Sequence, residues 1–194
     1  MQLRYLRLPM LLTAGALLLG ACGSDDESGA GKGGNGTDRA FAAEMVPHHR
    51  SAVEMAEIAQ ERGQSPFVKQ LAANIIASQN EEIATMQRED GGLEVAGVKR
   101  GKLGIPAHQM GMDDDPAMLR DARPFDREFI DMMVPHHQGA IRMARVEMSK
   151  GEDPELKALA KDVVDAQTKE IKEMNAYRKA EFGSESPAGG VPAA

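Results

Sequence analysis

The sequence predicts an all-α protein: one four-helix bundle, made from two tandem helical hairpins joined by a long crossover connection. Three observations carry this expectation. There is no Trp, aromatic residues make up only 4% of the chain, and 13 methionines stand among many Ala and Glu, a composition suited to helices packed through small and flexible side chains. Residues 38–88 align with 126–176 at a constant offset of 88, without a gap and with 20 identities in 51 positions, so the fold is one unit used twice. Each copy also carries, near its middle, a Gly followed by Ser-Pro or Asp-Pro, the punctuation that ends one helix and starts another.

In chain order, residues 1–21 place Arg4 and Arg7 ahead of an apolar run too short to span a bilayer comfortably, which predicts a cleaved export signal. The run ends Leu19-Gly20-Ala21-Cys22, resembling a bacterial lipobox, so Cys22 is the expected lipidation site and the membrane anchor. Residues 22–37 are Gly-rich and polar, as a flexible tether requires. The folded domain is expected over 38–182, with repeats 38–90 and 126–180 and a connection over 91–125. Asp38 and Asp126 are candidate caps of the first helix in each copy, and Gly63 and Gly151 are candidate left-handed residues at its end. Ser65-Pro66 and Asp153-Pro154 then open second helices running to about 88 and 180. A short helical turn is expected over Pro116 to Asp121, and the Ser, Pro, Gly and Ala tail 183–194 is expected to be disordered.

The chain has 23 basic and 30 acidic residues. Loss of Arg4 and Arg7 with the signal leaves 21 against 30, a net charge near −9 with His neutral. That charge argues against nucleic acid or an anionic membrane surface as partner and favours cations. Cys22 is the only cysteine. Once acylated, it leaves no thiolate, so a metal must rely on His, Met or carboxylate.

The repeated run Met-Val-Pro-His-His supplies such donors. On a helical wheel Met45, His48, His49, Ala52, Met55 and Ala56 share one face, and Met133, His136, His137, Ala140, Met143 and Ala144 repeat it. Pro47 and Pro135 either start the helix or remove one of its hydrogen bonds. On the second helices Gln79 with Glu82, and Gln167 with Glu170, point the same way as the apolar stripe; an inward carboxylate that fixes a ligating His is a recurrent device. The fifth histidine, His108, stands beside Met110 and Met112 in the connection, a candidate outer capture site. Imidazole and thioether without thiolate favour copper, as Cu(I) or Cu(II), while iron and zinc are the rival metals. The di-iron pattern Glu-x-x-His is absent, because Met45, Val46, Met133 and Val134 stand where its Glu belongs.

At these residues the chain resembles the DUF305 family of bacterial exported proteins: FAAEMVPHHRSAVEMA and FIDMMVPHHQGAIRMA both fit its signature. The resemblance covers residues 38 to about 180. It implies a ferritin-like four-helix bundle, and some members are associated with periplasmic copper binding. The ligand positions it implies are His48, His49, Met55, His136, His137 and Met143, with Met45 and Met133 next.

The leading expectation is therefore a non-enzymatic, extracytoplasmic lipoprotein that sequesters copper or passes it on, with a metal donor or acceptor protein as its expected partner. One rival is a metal-dependent oxidase or peroxide-handling enzyme with Glu82 and Glu170 as direct ligands. Another is an envelope interaction module whose His pairs are structural. No nucleotide-binding loop, nucleophile triad or zinc-protease motif is present.

Overall fold

The structure, a computed structural model, describes residues 33–113 and 115–193. The export signal, Cys22 and the first part of the tether lie outside the described residues. Four long helices form a bundle: α1 Gly36–Arg62, α2 Pro66–Val95, α3 Phe125–Lys150 and α4 Pro154–Phe182. α1 packs along α2 and α3 along α4; the two hairpins meet chiefly through α1 against α3, and α2 and α4 touch little. None of these helices is long and apolar enough to cross a membrane.

The second helices start as expected. Ser65 accepts from the Val68 amide, Asp153 accepts from the amides of Glu155 and Leu156, and a Pro follows each. The first helices do not. α1 begins two residues before Asp38, capped by Asn35, with Asp38 completing a capping box from inside the helix. Residues 33–37 of the expected tether thus belong to the domain. α3 begins at Phe125 after Pro124, which offers no side-chain cap.

Asp38 and Asp126 instead latch the two hairpins together. Asp38 accepts from the amides of Glu152 and Asp153 in the α3–α4 turn. Asp126 accepts from the amides of Gln64 and Ser65 in the α1–α2 turn, at 2.8 and 2.9 Å, and from the Tyr177 hydroxyl. Residues 64 and 152, and 65 and 153, are themselves one repeat apart. Each hairpin therefore closes the turn of the other, satisfying helix-start donors across the pseudo-twofold relation.

Gly63 and Gly151 are not left-handed; their φ angles are −53° and −68°. Glycine is needed there for closeness: a Cβ at Gly63 would lie 2.6 Å from the Ala59 carbonyl oxygen, and one at Gly151 would overlap the Glu147 carboxyl. The Glu147 carboxyl is fully buried against Asp38. Burial first, and then the Asp38 carboxyl, push Glu147 up to about 9. Burial also acts to raise Asp38, but its hydrogen bonds with Glu147 and with the amides of Asn35, Asp153 and Glu152 hold it below the ordinary value. Glu147 is thus the protonated member of the pair at neutral pH.

α2 passes its expected end at 88, runs through Gly91 and Gly92, and stops at Val95. Leu93 is fully buried, and the Arg39 guanidinium holds Asp90 and Glu94 at 2.7 and 3.0 Å. Those contacts offset the low helix propensity of two glycines. At the corresponding end of the other hairpin Arg178 grips Asp131. It also donates to the carbonyls of Ser184 and Glu185, while Asn175 donates to that of Gly189. The tail expected to be disordered is consequently laid against α3 and α4 as far as Ala193, where Arg145 holds it. The connection contains the expected short turn, Pro116–Arg120, and a second one, Ala107–Gln109.

Candidate metal centre

The His pairs lie midway along α1 and α3. Both helices run through Pro47 and Pro135, so each proline removes one backbone hydrogen bond just ahead of a His pair. The small residues Ala52, Ala56, Ala140 and Ala144 are all fully buried, and they let the two helices approach. Across this contact the rings of His48 and His136 lie 3.7 Å apart between centroids, tilted by 41°. His49 and His137 sit on either side, 6.3 and 6.4 Å from their chain neighbours. One pair from each hairpin thus makes a single group of four imidazoles.

The outer nitrogens of three rings are occupied. His49 Nε2 donates to Glu82 at 2.6 Å and His137 Nε2 donates to Glu170 at 2.8 Å. The repeat therefore reproduces the His–carboxylate contact in both hairpins. His48 Nε2 donates at 2.9 Å to the backbone carbonyl of Met110. A carbonyl only accepts, so this ring carries its proton on Nε2 and leaves Nδ1 as the free lone pair. With carboxylates accepting from Nε2, the same tautomer holds for His49 and His137. Nδ1 of all four rings, and Nε2 of His136, are buried without a partner. The side-chain oxygens of Gln79 and Gln167 are likewise buried and unpartnered.

Burial pushes His48 down to about 3, with the neighbouring His49 acting in the same direction. Burial, then the surrounding His48, His137 and His49, hold His136 well below the ordinary histidine value. Both rings are therefore neutral at physiological pH, the state in which imidazole donates a lone pair.

The thioethers flank this group. Met55 and Met133 share one buried apolar cluster, and Met45 and Met143 share another. Each cluster thus takes one of these four from each hairpin, beside Met174 of α4 in the first and Met86 of α2 in the second. Among the described residues no three His, Cys, Asp or Glu side chains are already gathered around one point. What the centre presents is buried imidazole nitrogen without a partner, on helices whose buried methionines lie in the adjoining apolar clusters, and a cation is one partner that would satisfy such lone pairs. Imidazole and thioether are both donors that copper accepts. Glu82 and Glu170 touch the histidines. Their side chains are 20% and 16% exposed, at the outer edge of the group.

The connection contributes differently. His108 and Met112 are exposed, Met110 is half-buried, and it is the Met110 backbone that reaches the centre. Sequence reasoning missed that carbonyl and missed Gly139, whose bare backbone admits it: a Cβ there would overlap the Met110 carbonyl. The signal was present, because Gly139 replaces Ser51 inside the otherwise best-matched part of the repeat.

Residues 38–178 match the family model described as a domain of unknown function, DUF305. The chain belongs to the DUF305 family. Among solved structures it is similar to CopM in the Cu(I)-bound form, with 35% identity, a TM-score of 0.63, and 75% of this chain and 98% of that chain covered. CopM has also been solved in apo, Cu(II)-bound and Ag-bound forms. The DUF305 fragment from Deinococcus radiodurans is 30% identical over 73% of this chain and 94% of its own, with a TM-score of 0.60. The putative secreted DUF305 protein from Streptomyces coelicolor is 28% identical over 78% and 95%, with a TM-score of 0.65. An uncharacterised protein of Acanthamoeba polyphaga mimivirus is 40% identical over 50 residues, a match spanning 33% of that protein and 26% of this chain.

Proposed function

We propose that this DUF305 protein is an extracytoplasmic copper-binding lipoprotein that sequesters copper or hands it to another protein. The observation that carries the reading is the set of unpartnered ring nitrogens on His48, His49, His136 and His137, buried between the two hairpins. Met45, Met55, Met133 and Met143 are the thioether donors of the same centre. Copper bound here would be cargo, held by neutral imidazole and thioether ligands that stabilise Cu(I). The similarity to CopM, whose structures hold Cu(I), Cu(II) and Ag, supports the choice of metal. The basic and apolar amino terminus and Cys22 support export and anchoring, and a Streptomyces coelicolor relative is described as a putative secreted protein. Iron and zinc fit less well, since neither favours thioether sulfur.

The test is a titration of the chain lacking its first 22 residues with Cu(I), Cu(II), Zn(II) and Fe(II), beside a variant with His48, His49, His136 and His137 changed to Ala. Helical circular dichroism checks that both are folded. The parent binds copper in preference to zinc and iron, and the variant loses it. Equal copper uptake by both overturns the assignment.

A further inference from the structure

The repeat is broken at one place in the centre. His48 is fastened from outside by a backbone carbonyl, whereas Nε2 of its counterpart His136 has no partner. The fastening comes from the connection, whose residues 107–113 lie as a strap across α3. Two glycines let it seat. A Cβ at Gly139 would overlap the Met110 carbonyl, and Gly111, at φ 70°, lies so close to the Pro135 carbonyl that a Cβ there would overlap it too. The one-repeat counterpart of Gly139 is Ser51.

The strap is held by little else. Arg142 donates to the Gln109 carbonyl at 3.0 Å. Leu103 and Leu119 are buried anchors at its two ends, but every described residue between them is exposed or half-buried. Beside that contact, a surface cleft of about 420 Å³ opens between the strap and α3 near His108, Asp113, Gln138 and Arg142. Lifting the segment frees the partly buried Met110 side chain from the apolar core but uncovers no fully buried residue of its own and breaks few hydrogen bonds, the profile of a locally opening element. Its outward side chains include His108 and Met112, soft donors at the surface.

We propose that residues 107–113 are the gate of the buried imidazole group, closed by the Met110 carbonyl on His48 and opened to admit or release a soft monovalent cation. The proposal rests on the copper reading above. Closed, the strap fixes the His48 tautomer and covers the ring. Open, it frees Nε2 of His48 and exposes the centre on that side. Gly139 is the positioning residue that permits closure.

Three proteins test this: the parent, Gly139→Ala, which keeps the helix but prevents the strap from seating, and Arg142→Ala, which loosens it from the exposed side. Loading and release of Ag(I), a redox-inert stand-in for Cu(I), are followed by stopped-flow chelator competition. Hydrogen exchange of residues 109–112 and the ¹⁵N signals of the His48 ring are read in the metal-free proteins. Loss of one fastening hydrogen bond is expected to speed loading and release together by about five- to tenfold, leaving the equilibrium constant within a few fold. Exchange in the strap rises, and the His48 Nε2–H signal is lost in Gly139→Ala. If the parent binds Ag(I) but both variants load and release at its rates, the gate is wrong and the metal centre stands. If the parent takes up neither Ag(I) nor Cu(I), the function and the gate both fall.

Discussion

Replacing Glu147 by Gln should stabilise the protein, and increasingly so as the pH rises. Glu147 is fully buried beside Asp38, with its carboxyl pushed from 4.5 to about 9 by burial and by that neighbour. A raised folded-state value means the native protein keeps a proton that the unfolded chain has released. Stability is therefore complete below 4.5 and is lost progressively as the pH climbs toward 9. Integrating that linkage from the unfolded value to pH 7 gives a ceiling of about 3 kcal/mol, and about 1–3 kcal/mol is expected because the pair shares its proton. Gln cannot ionise, and its amide still donates to Asp38. Urea melts of parent and Glu147→Gln at pH 5, 7 and 8.5 measure the difference; this window lies above the acid range in which Asp38, held below its ordinary value, would lose its own contribution. The gain is under about 1 kcal/mol at pH 5 and about 1–3 kcal/mol at pH 7, the latter raising the melting temperature by about 4–10 °C. A constant difference across the three pH values, or a variant weaker than the parent at pH 8.5, refutes the burial argument.

The reciprocal latch and the carboxylates behind the histidines give two more expectations. Asp126→Ala strands the amides of Gln64 and Ser65 and the Tyr177 hydroxyl, and thermal melting should report a loss of about 2–4 kcal/mol, with Asp126→Asn recovering part of it. Glu82→Ala or Glu170→Ala removes the acceptor that holds His49 or His137 in one tautomer. Chelator competition should show Cu(I) binding weakened by about 10- to 100-fold. Glu82→Gln should recover most of the affinity, because its side-chain oxygen still accepts from Nε2.

Much of this architecture was legible without coordinates, and the boundary follows the range of the interactions. The gap-free repeat, the Ser65-Pro66 and Asp153-Pro154 starts and the shared faces of the His and Met residues are local or periodic, so they can be read from one strand of sequence. Glu82 and Glu170 were legible for the same reason: their stripe placed them inward and an inward carboxylate needs a donor. Asp38 and Asp126 looked like ordinary caps because their true partners lie in the opposite hairpin, 62 residues away for Gln64 and 114 for Glu152. The length of α2 depended on Arg39 reaching Asp90 and Glu94, and the ordered tail depended on Arg178 and Asn175. These are tertiary contacts that no propensity encodes. The strap is the clearest case: nothing in His-Gln-Met-Gly-Met says that its backbone, and not its side chains, would meet His48.

In the proposed function, imidazoles and thioethers from both hairpins bind one kind of ion. Copper X-ray absorption on the Cu(I)-loaded protein tests it most directly, beside Met55→Leu and Met143→Leu variants that keep the core volume. The expected spectrum shows copper bound by mixed imidazole nitrogen and sulfur, with the sulfur contribution reduced in those variants. A shell of oxygen and nitrogen alone, unchanged by the substitutions, would contradict it.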